Sequence, residues 1–428
     1  MRILQILPGS GDRFYCENCV RDNSLVRALA AAGQEVIPAP LYLPTLNDPV
    51  DLISRAPIFY GGINSYLQQK SGFFRWTPRW VDALLDAKLF LRWAAKGAGS
   101  VRASGLGELT LSIMRGEAGN QAKELGRLLR WLEKQPRPDV VHLSSPLLIG
   151  IGIAVKKRFG APLVCTLQDE DVWIDAMEEP ARSRCWEVMA AGTPDVDAYV
   201  SVSHTFGEAM RVRLKIDPAR LKVVPVGIDV SAPPPAARPA APAIGYLARM
   251  SRGMGFGLLA DAFLLLKKEP RYKPLRLHAT GGMSDDDRPF HEELLGRFEA
   301  QGVARDVRIY EDFDSAHRRA FMESLTVFSA PTPSGVAFGT HLLEALACAV
   351  PVVQPRAGSF PELVDATGGG VLYEPNEPEP LARALASLLD DEPRRAELGR
   401  KGRESVVKSY GLDTMARKMI EVYEGVVR

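Results

Sequence analysis

The feature that most constrains this chain is an alternation repeated on both sides of a Pro/Ala-rich spacer. Short apolar runs end at small or polar residues and are followed by segments of helical character. Residues 2–7 (RILQIL) predict a strand, Pro8-Gly9-Ser10-Gly11 a turn, 22–32 a helix stopped by Gly33, and 35–39 the next strand. Strands joined through a helix pair in parallel, because a short hairpin can join only antiparallel neighbours. Later strands are predicted at 140–143, 163–166 and 198–202, ending at Ser144-Ser145, Gln168-Asp169-Glu170-Asp171 and Ser203-His204-Thr205. Residues 231–242, SAPPPAARPAAP, suit an extended, semi-rigid spacer. The alternation then restarts, with strands predicted at 244–247, 275–280, 307–310, 325–330 and 350–353. From 377 onward the chain reads as helix, with breaks near 392 and 411. The fold class expected is therefore α/β, with two similar parallel-sheet domains facing each other.

Composition narrows the function classes. A formal net charge of +1 gives no electrostatic reason to expect nucleic acid as a partner. Five cysteines in 428 residues do not make a disulfide framework, so a reducing cytosol is the expected compartment. Residues 1–7 are too short for a signal peptide and read as a first strand, and the longest apolar run, 146–155, is too short to span a bilayer.

Residues 329–364, SAPTPSGVAFGTHLLEALACAVPVVQPRAGSFPELV, carry the most chemical information. Phe338-Gly339-Thr340 opens a helix that carries Glu344, and Ala357-Gly358-Ser359 opens another at Pro361-Glu362. Helix starts of this kind expose backbone N–H groups and the positive end of the helix dipole, which suits phosphate or polar hydroxyls. In open α/β sheets ligands bind at such strand ends.

The order of motifs resembles the family 4 glycosyltransferases over nearly the whole chain. The matching segments are Gly245-Tyr246-Leu247-Ala248-Arg249, Phe338-Gly339 to Leu346-Ala347, Pro351-Val352-Val353 to Pro361-Glu362, Val202-Ser203, and Val224-Pro225-Val226-Gly227-Ile228-Asp229. The resemblance implies a GT-B fold, two Rossmann-like domains around a cleft. It places an acceptor-binding domain at 1–230 with an irregular insertion at about 48–137, and the spacer at 231–242. A nucleotide-sugar-binding domain follows at 243–410, then a last helix at 411–428 placed to cross back to the first domain. It further implies transfer of a sugar from a nucleotide-diphosphate sugar to a glycan, lipid or small-molecule hydroxyl, with retention and without cofactor or metal. Glu344 matches the second of the family's two glutamates and would accept hydrogen bonds from ribose hydroxyls. Arg249, with Arg252 near it, would neutralise the diphosphate. Gly339 and Thr340 would supply N–H groups, and Ser334, Phe338, Gly9 and Gly11 complete the expected donor side. Three positions depart from the family pattern: Val336 stands where the first glutamate is expected, Met254 where a lysine is, and Gln168 where a histidine is. These departures motivate two competing readings, a non-catalytic GT-B scaffold and a sugar-nucleotide epimerase or hydrolase using the acids at 169–171.

Other candidates come from the residues themselves. Asp169 is nearest its strand end among the three acids and is the expected base for an acceptor hydroxyl, against the alternative that the acids stabilise a helix start. Glu170, His204, Arg13 and Asn18 are assigned to the acceptor side, with a helix-capping role weighed for His204. Cys16-Glu17-Asn18-Cys19 lacks the further ligands that zinc requires, and packed thiols are favoured over a redox pair. Residues 72–96 interleave aromatic and basic side chains. An amphipathic core helix is the favoured reading there, with peripheral membrane contact as the alternative.

Overall fold

The computed structural model describes residues 1–9, 14–42, 103–235 and 241–427, together with 57, 59, 60, 65, 68 and 69. The stretch at 72–96 lies outside the described residues, as do Gly11 and Arg13. The first sheet contains β1 (Arg2–Leu7), β2 (Glu35–Pro40), β3 (Val140–Leu143), β4 (Leu163–Leu167), β5 (Ala198–Ser201) and β6 (Leu221–Val223), in the order β2-β1-β3-β4-β5-β6. The second contains β7 (Ala243–Leu247), β8 (Arg276–Thr280), β9 (Val307–Ile309), β10 (Val327–Phe328), β11 (Val352–Pro355) and β12 (Gly370–Tyr373), in the order β12-β11-β10-β7-β8-β9. All pairings within the two sheets are parallel, with Ile3 of β1 beside both Val36 of β2 and Val140 of β3. The central strands are buried on both faces, which is why they read as continuous apolar runs rather than alternating ones. Gly245 in β7 is required by close packing, since a Cβ there would fall 2.0 Å from a methyl carbon of Leu325.

Several elements differ from expectation. The first helix spans Glu17–Ala31 and starts a turn before residue 22, with Cys16 as its N-cap. β10 is limited to Val327–Phe328, although Thr326 and Ser329 on either side still donate their N–H groups to the Ala243 and Gly245 carbonyls of β7. The edge strands β6 and β12 fall outside the predicted strands; both are short and partly exposed. Within 48–137, the described residues include the helices Ala103–Met114 and Ala122–Leu132.

Among the described residues, two places mark the passage of the chain between the two domains. At the first crossing, Ala232 and Pro233 lie on the second domain, where their carbonyls accept from Arg403 and Arg319. The second is at residues 410–412, where Ile228 donates its N–H to the Tyr410 carbonyl and accepts from Leu412 N–H. The last helix, Leu412–Val427, then packs on the first domain and buries Met415, Ala416, Met419 and Tyr423 beside Leu25, Leu29 and Val164. Burial of each large apolar side chain contributes about 1.5–3 kcal/mol. A file of buried polar contacts leads inward from this helix. The Tyr423 hydroxyl meets His142 Nδ1 at 2.8 Å, His142 Nε2 meets the Thr166 hydroxyl at 2.8 Å, and Arg21 donates to Thr166 at 3.0 Å and to Asp22 at 3.1 Å. Burial holds the His142 ring neutral by pushing its pKa well below the ordinary value.

Candidate active site

The two sheets present the carboxyl ends of their strands to each other. Strap residues Phe14 to Cys19, leading into the first helix, lie across the gap. Phe14 forms an antiparallel bridge with Gly282, and Tyr15 donates its N–H to the Gly281 carbonyl at 2.7 Å. Tyr15 also reaches Glu344 Oε2 with its hydroxyl, at 3.4 Å. Glu344 Oε1 accepts from Arg318 Nε at 2.9 Å, and Arg318 donates in addition to the Phe313 carbonyl. With side chains 5% and 16% exposed, Arg318 and Glu344 form a largely desolvated ion pair.

Gly339 has φ 104, a conformation that favours glycine, and it starts the helix Thr340–Ala347. The N–H of Thr340, which has no acceptor within its own helix, donates to Glu17 Oε2 at 2.7 Å, while His341 Nδ1 contacts Glu17 Oε1. Burial raises the Glu17 pKa, but the His341 and Thr340 contacts outweigh it and hold the carboxyl below its ordinary value. Three residues before Thr340, Ala337 donates its N–H to Asp169 Oδ1 at 2.8 Å. Thus two carboxylates of the first domain sit on backbone N–H groups of the second, next to Val336. Asp169 has φ 57, unusual for a residue with a side chain. Such backbone outliers cluster at functional sites. Burial, followed by the nearby charge of Glu17, pushes its carboxyl up to about 7.

The other sequence candidates fall in different places. Arg249 follows β7, donates to Asp287 and to the Ser284 hydroxyl, both at 2.7 Å, and lies 5.0 Å from the centre of the Phe14 ring. It therefore borders the strap. Arg252 pairs with Glu293 and lies over Phe290 on the outer surface. Asn18 donates to the Gln168 carbonyl at 3.2 Å, and Gln168 itself points inward to the Ser144 carbonyl. Glu170 is buried in the first domain, where it accepts from Gln168 N–H and burial lifts its carboxyl to about 8. His204 is exposed at a helix start whose N–H groups are accepted by Glu362 of the other domain, at 2.8 Å from both His204 N and Thr205 N. Phe338 is buried against Tyr410, Ser334 is exposed, and Gly9 ends the β1 turn with φ 86.

Cys16 and Cys19 form a disulfide, which corrects the expectation of packed thiols. The reason is local: the helix-capping conformation of Cys16 places the two Cα atoms 5.3 Å apart, within the span a disulfide requires. Among the described residues, no group of three or more His, Cys, Asp or Glu side chains is placed to hold a metal ion.

Two facing parallel-sheet domains, a helix N-terminus at the carboxyl end of a strand, and a carboxylate one turn into that helix define a glycosyltransferase of GT-B architecture. The sequence matches the family described as Glycosyltransferase Family 4 over residues 110–232 and that described as Glycosyl transferases group 1 over 241–391. The chain belongs to family 4 of these enzymes. It is similar to the D-inositol 3-phosphate glycosyltransferase of Salinispora tropica, with 26% identity over 406 residues, 85% of this chain and 80% of that one. An enzyme of the same name from Corynebacterium kroppenstedtii is 29% identical over 232 residues, covering 50% of this chain and 49% of its own. Among solved structures, the sucrose-phosphate synthase of Thermosynechococcus elongatus shares the fold with a TM-score of 0.73 at 19% identity, over 99% of this chain and 98% of that one. Anabaena HepE in complex with UDP and glucose does so with a TM-score of 0.69 at 15% identity, over 99% and 100%.

Proposed function

We propose that this glycosyltransferase moves a sugar, with retention, from a nucleoside-diphosphate sugar to a hydroxyl of a glycan, lipid or small-molecule acceptor. The observation that carries the reading is the group formed by Glu344, Thr340 N–H and Asp169. Within one cleft, Glu344 would accept from ribose hydroxyls, the Thr340 N–H would donate to diphosphate oxygens, and Asp169 offers a carboxyl whose pKa is pushed up to about 7. Arg249 and the helix N–H groups would stabilise negative charge on the leaving diphosphate. Asp169 would take the proton of the acceptor hydroxyl. Domain closure would exclude water, which otherwise hydrolyses the donor.

The test is calorimetric titration with a panel of nucleoside diphosphates, UDP first, followed by turnover of the matching sugar donor in the presence of EDTA. Binding of one diphosphate and EDTA-insensitive formation of a product with the donor's anomeric configuration are expected. A folded protein that binds none of the panel would sink the reading. Donor turnover without an acceptor product would favour a hydrolase or epimerase instead.

Among the described residues no helix is long and apolar enough to cross a membrane. The interleaved aromatic and basic residues of 72–96 suit an amphipathic core helix first and peripheral contact with an anionic membrane surface second. No sedimentation with liposomes is the expected result, and sedimentation with anionic but not neutral liposomes would favour the membrane contact instead.

A further inference from the structure

The strap Phe14 to Cys19 places its own polar groups on the atoms to which the donor is assigned. Tyr15 hydroxyl contacts Glu344, the residue assigned to the ribose. Glu17 carboxylate occupies Thr340 N–H, the group assigned to the diphosphate. Phe14 and Tyr15 pair with Gly282 and Gly281, at the end of β8. Buried in the same place, His341 Nε2 has no hydrogen-bond partner among the described residues, so the site keeps polar capacity that Glu17 does not use. A protein carboxylate seated on the helix start competes directly with an incoming anion.

The disulfide Cys16–Cys19 flanks Glu17 on either side. Cys16 is the N-cap, its sulfur also accepts from Cys19 N–H at 3.3 Å, and the bond to Cys19 closes the first turn around Glu17. Both cysteines are half-buried, whereas Cys165, Cys185 and Cys348 are free and buried.

We infer that Cys16–Cys19 is a thiol–disulfide exchange site and that the strap is a self-supplied occupant of the donor site, held there by the disulfide and released by reduction. The inference rests on the donor reading above. The reductant is a dithiol. One of its thiolates attacks a cysteine sulfur, the S–S bond breaks, and a mixed disulfide forms. The second thiol resolves it, leaving two protein thiols and an oxidised cyclic reductant, a transfer of two electrons and two protons. With the first turn no longer closed, Glu17 can leave Thr340 and a diphosphate can take its place.

The experiment measures UDP affinity by calorimetry, and amide hydrogen exchange at 281–283 and 337–343, on oxidised and reduced protein whose thiols are counted. Reduction is expected to tighten UDP binding at least tenfold and to speed exchange at Thr340. Glu17→Gln should tighten binding about tenfold in the oxidised protein. The double variant Cys16→Ser, Cys19→Ser should behave as reduced protein and ignore the reductant. Equal affinity and equal exchange in both redox states would overturn the inference, as would five titratable thiols after oxidation or a double variant that still responds to reductant. If UDP binds in neither state but Thr340 exchange still depends on reduction, the redox-held strap stands and the donor reading fails.

Discussion

Glu344→Ala is expected to lower the melting temperature by roughly 10 °C and to weaken binding of the nucleoside diphosphate at least tenfold. The thermal effect follows from Arg318, whose side chain is only 5% exposed and whose Nε donates to Glu344. Removing one member of a desolvated ion pair takes away much of what compensates the other buried charge, at a cost of up to about 3–5 kcal/mol. For a domain of this size each kcal/mol corresponds to about 2–4 °C. The binding effect follows from the loss of a charged acceptor, worth about 1.5–3 kcal/mol per hydrogen bond. Glu344→Gln separates the two. It keeps the shape and an oxygen for Arg318, so it should lose less stability than the alanine variant while still weakening the nucleotide. Scanning calorimetry and titration on both variants provide the check, and an alanine variant unchanged in both would remove Glu344 from the site.

Asp169→Asn is expected to reduce kcat by a factor of about 100 to 10,000, the usual range for loss of a positioned general base. Asparagine retains the oxygen that accepts from Ala337 N–H, so closure should survive while basicity is lost. Because the Asp169 carboxyl is pushed up to about 7, the base form grows as pH rises through neutrality. The wild-type kcat/KM should therefore fall on the acid side of pH 7, and that limb should vanish in the variant. Stability runs the opposite way. In the native state Asp169 keeps a proton that the unfolded chain has already released above the ordinary carboxylate range. Its contribution is present at low pH and is lost as pH climbs through about 7. Initial rates and melting temperatures between pH 5 and 9 test both signs, and an unaltered rate profile in the variant would exclude Asp169 as the base.

What the sequence disclosed is what local pattern can carry. The buried central strands appear as apolar runs, and the helix after Gly339 appears through its small-residue start and Glu344. Their meeting across the cleft could not be read. Tyr15 and Glu344 are 329 residues apart, Glu17 and Thr340 are 323 apart, and His204 and Glu362 are 158 apart. No periodicity links such pairs. The sequence therefore gives Glu17 no place in the site and shows Glu362 only as part of a helix start, although Glu17 lies inside a CxxC motif whose capping geometry is the available clue. The acids at 169–171 show the opposite error, since one pattern covers different fates. Asp169 reaches the second domain, whereas Glu170 is turned inward.

The return of the helix Leu412–Val427 to the first domain has a consequence for biosynthesis. Domains generally fold as units in the order in which they leave the ribosome. Here the surface formed by Leu25, Leu29 and Val164 stays uncovered until Met415, Met419 and Tyr423 have been made. His142 likewise waits for the Tyr423 hydroxyl. The half translated first is thus the half finished last, and its nascent form carries an apolar groove for as long as it takes to synthesise the whole of the second domain.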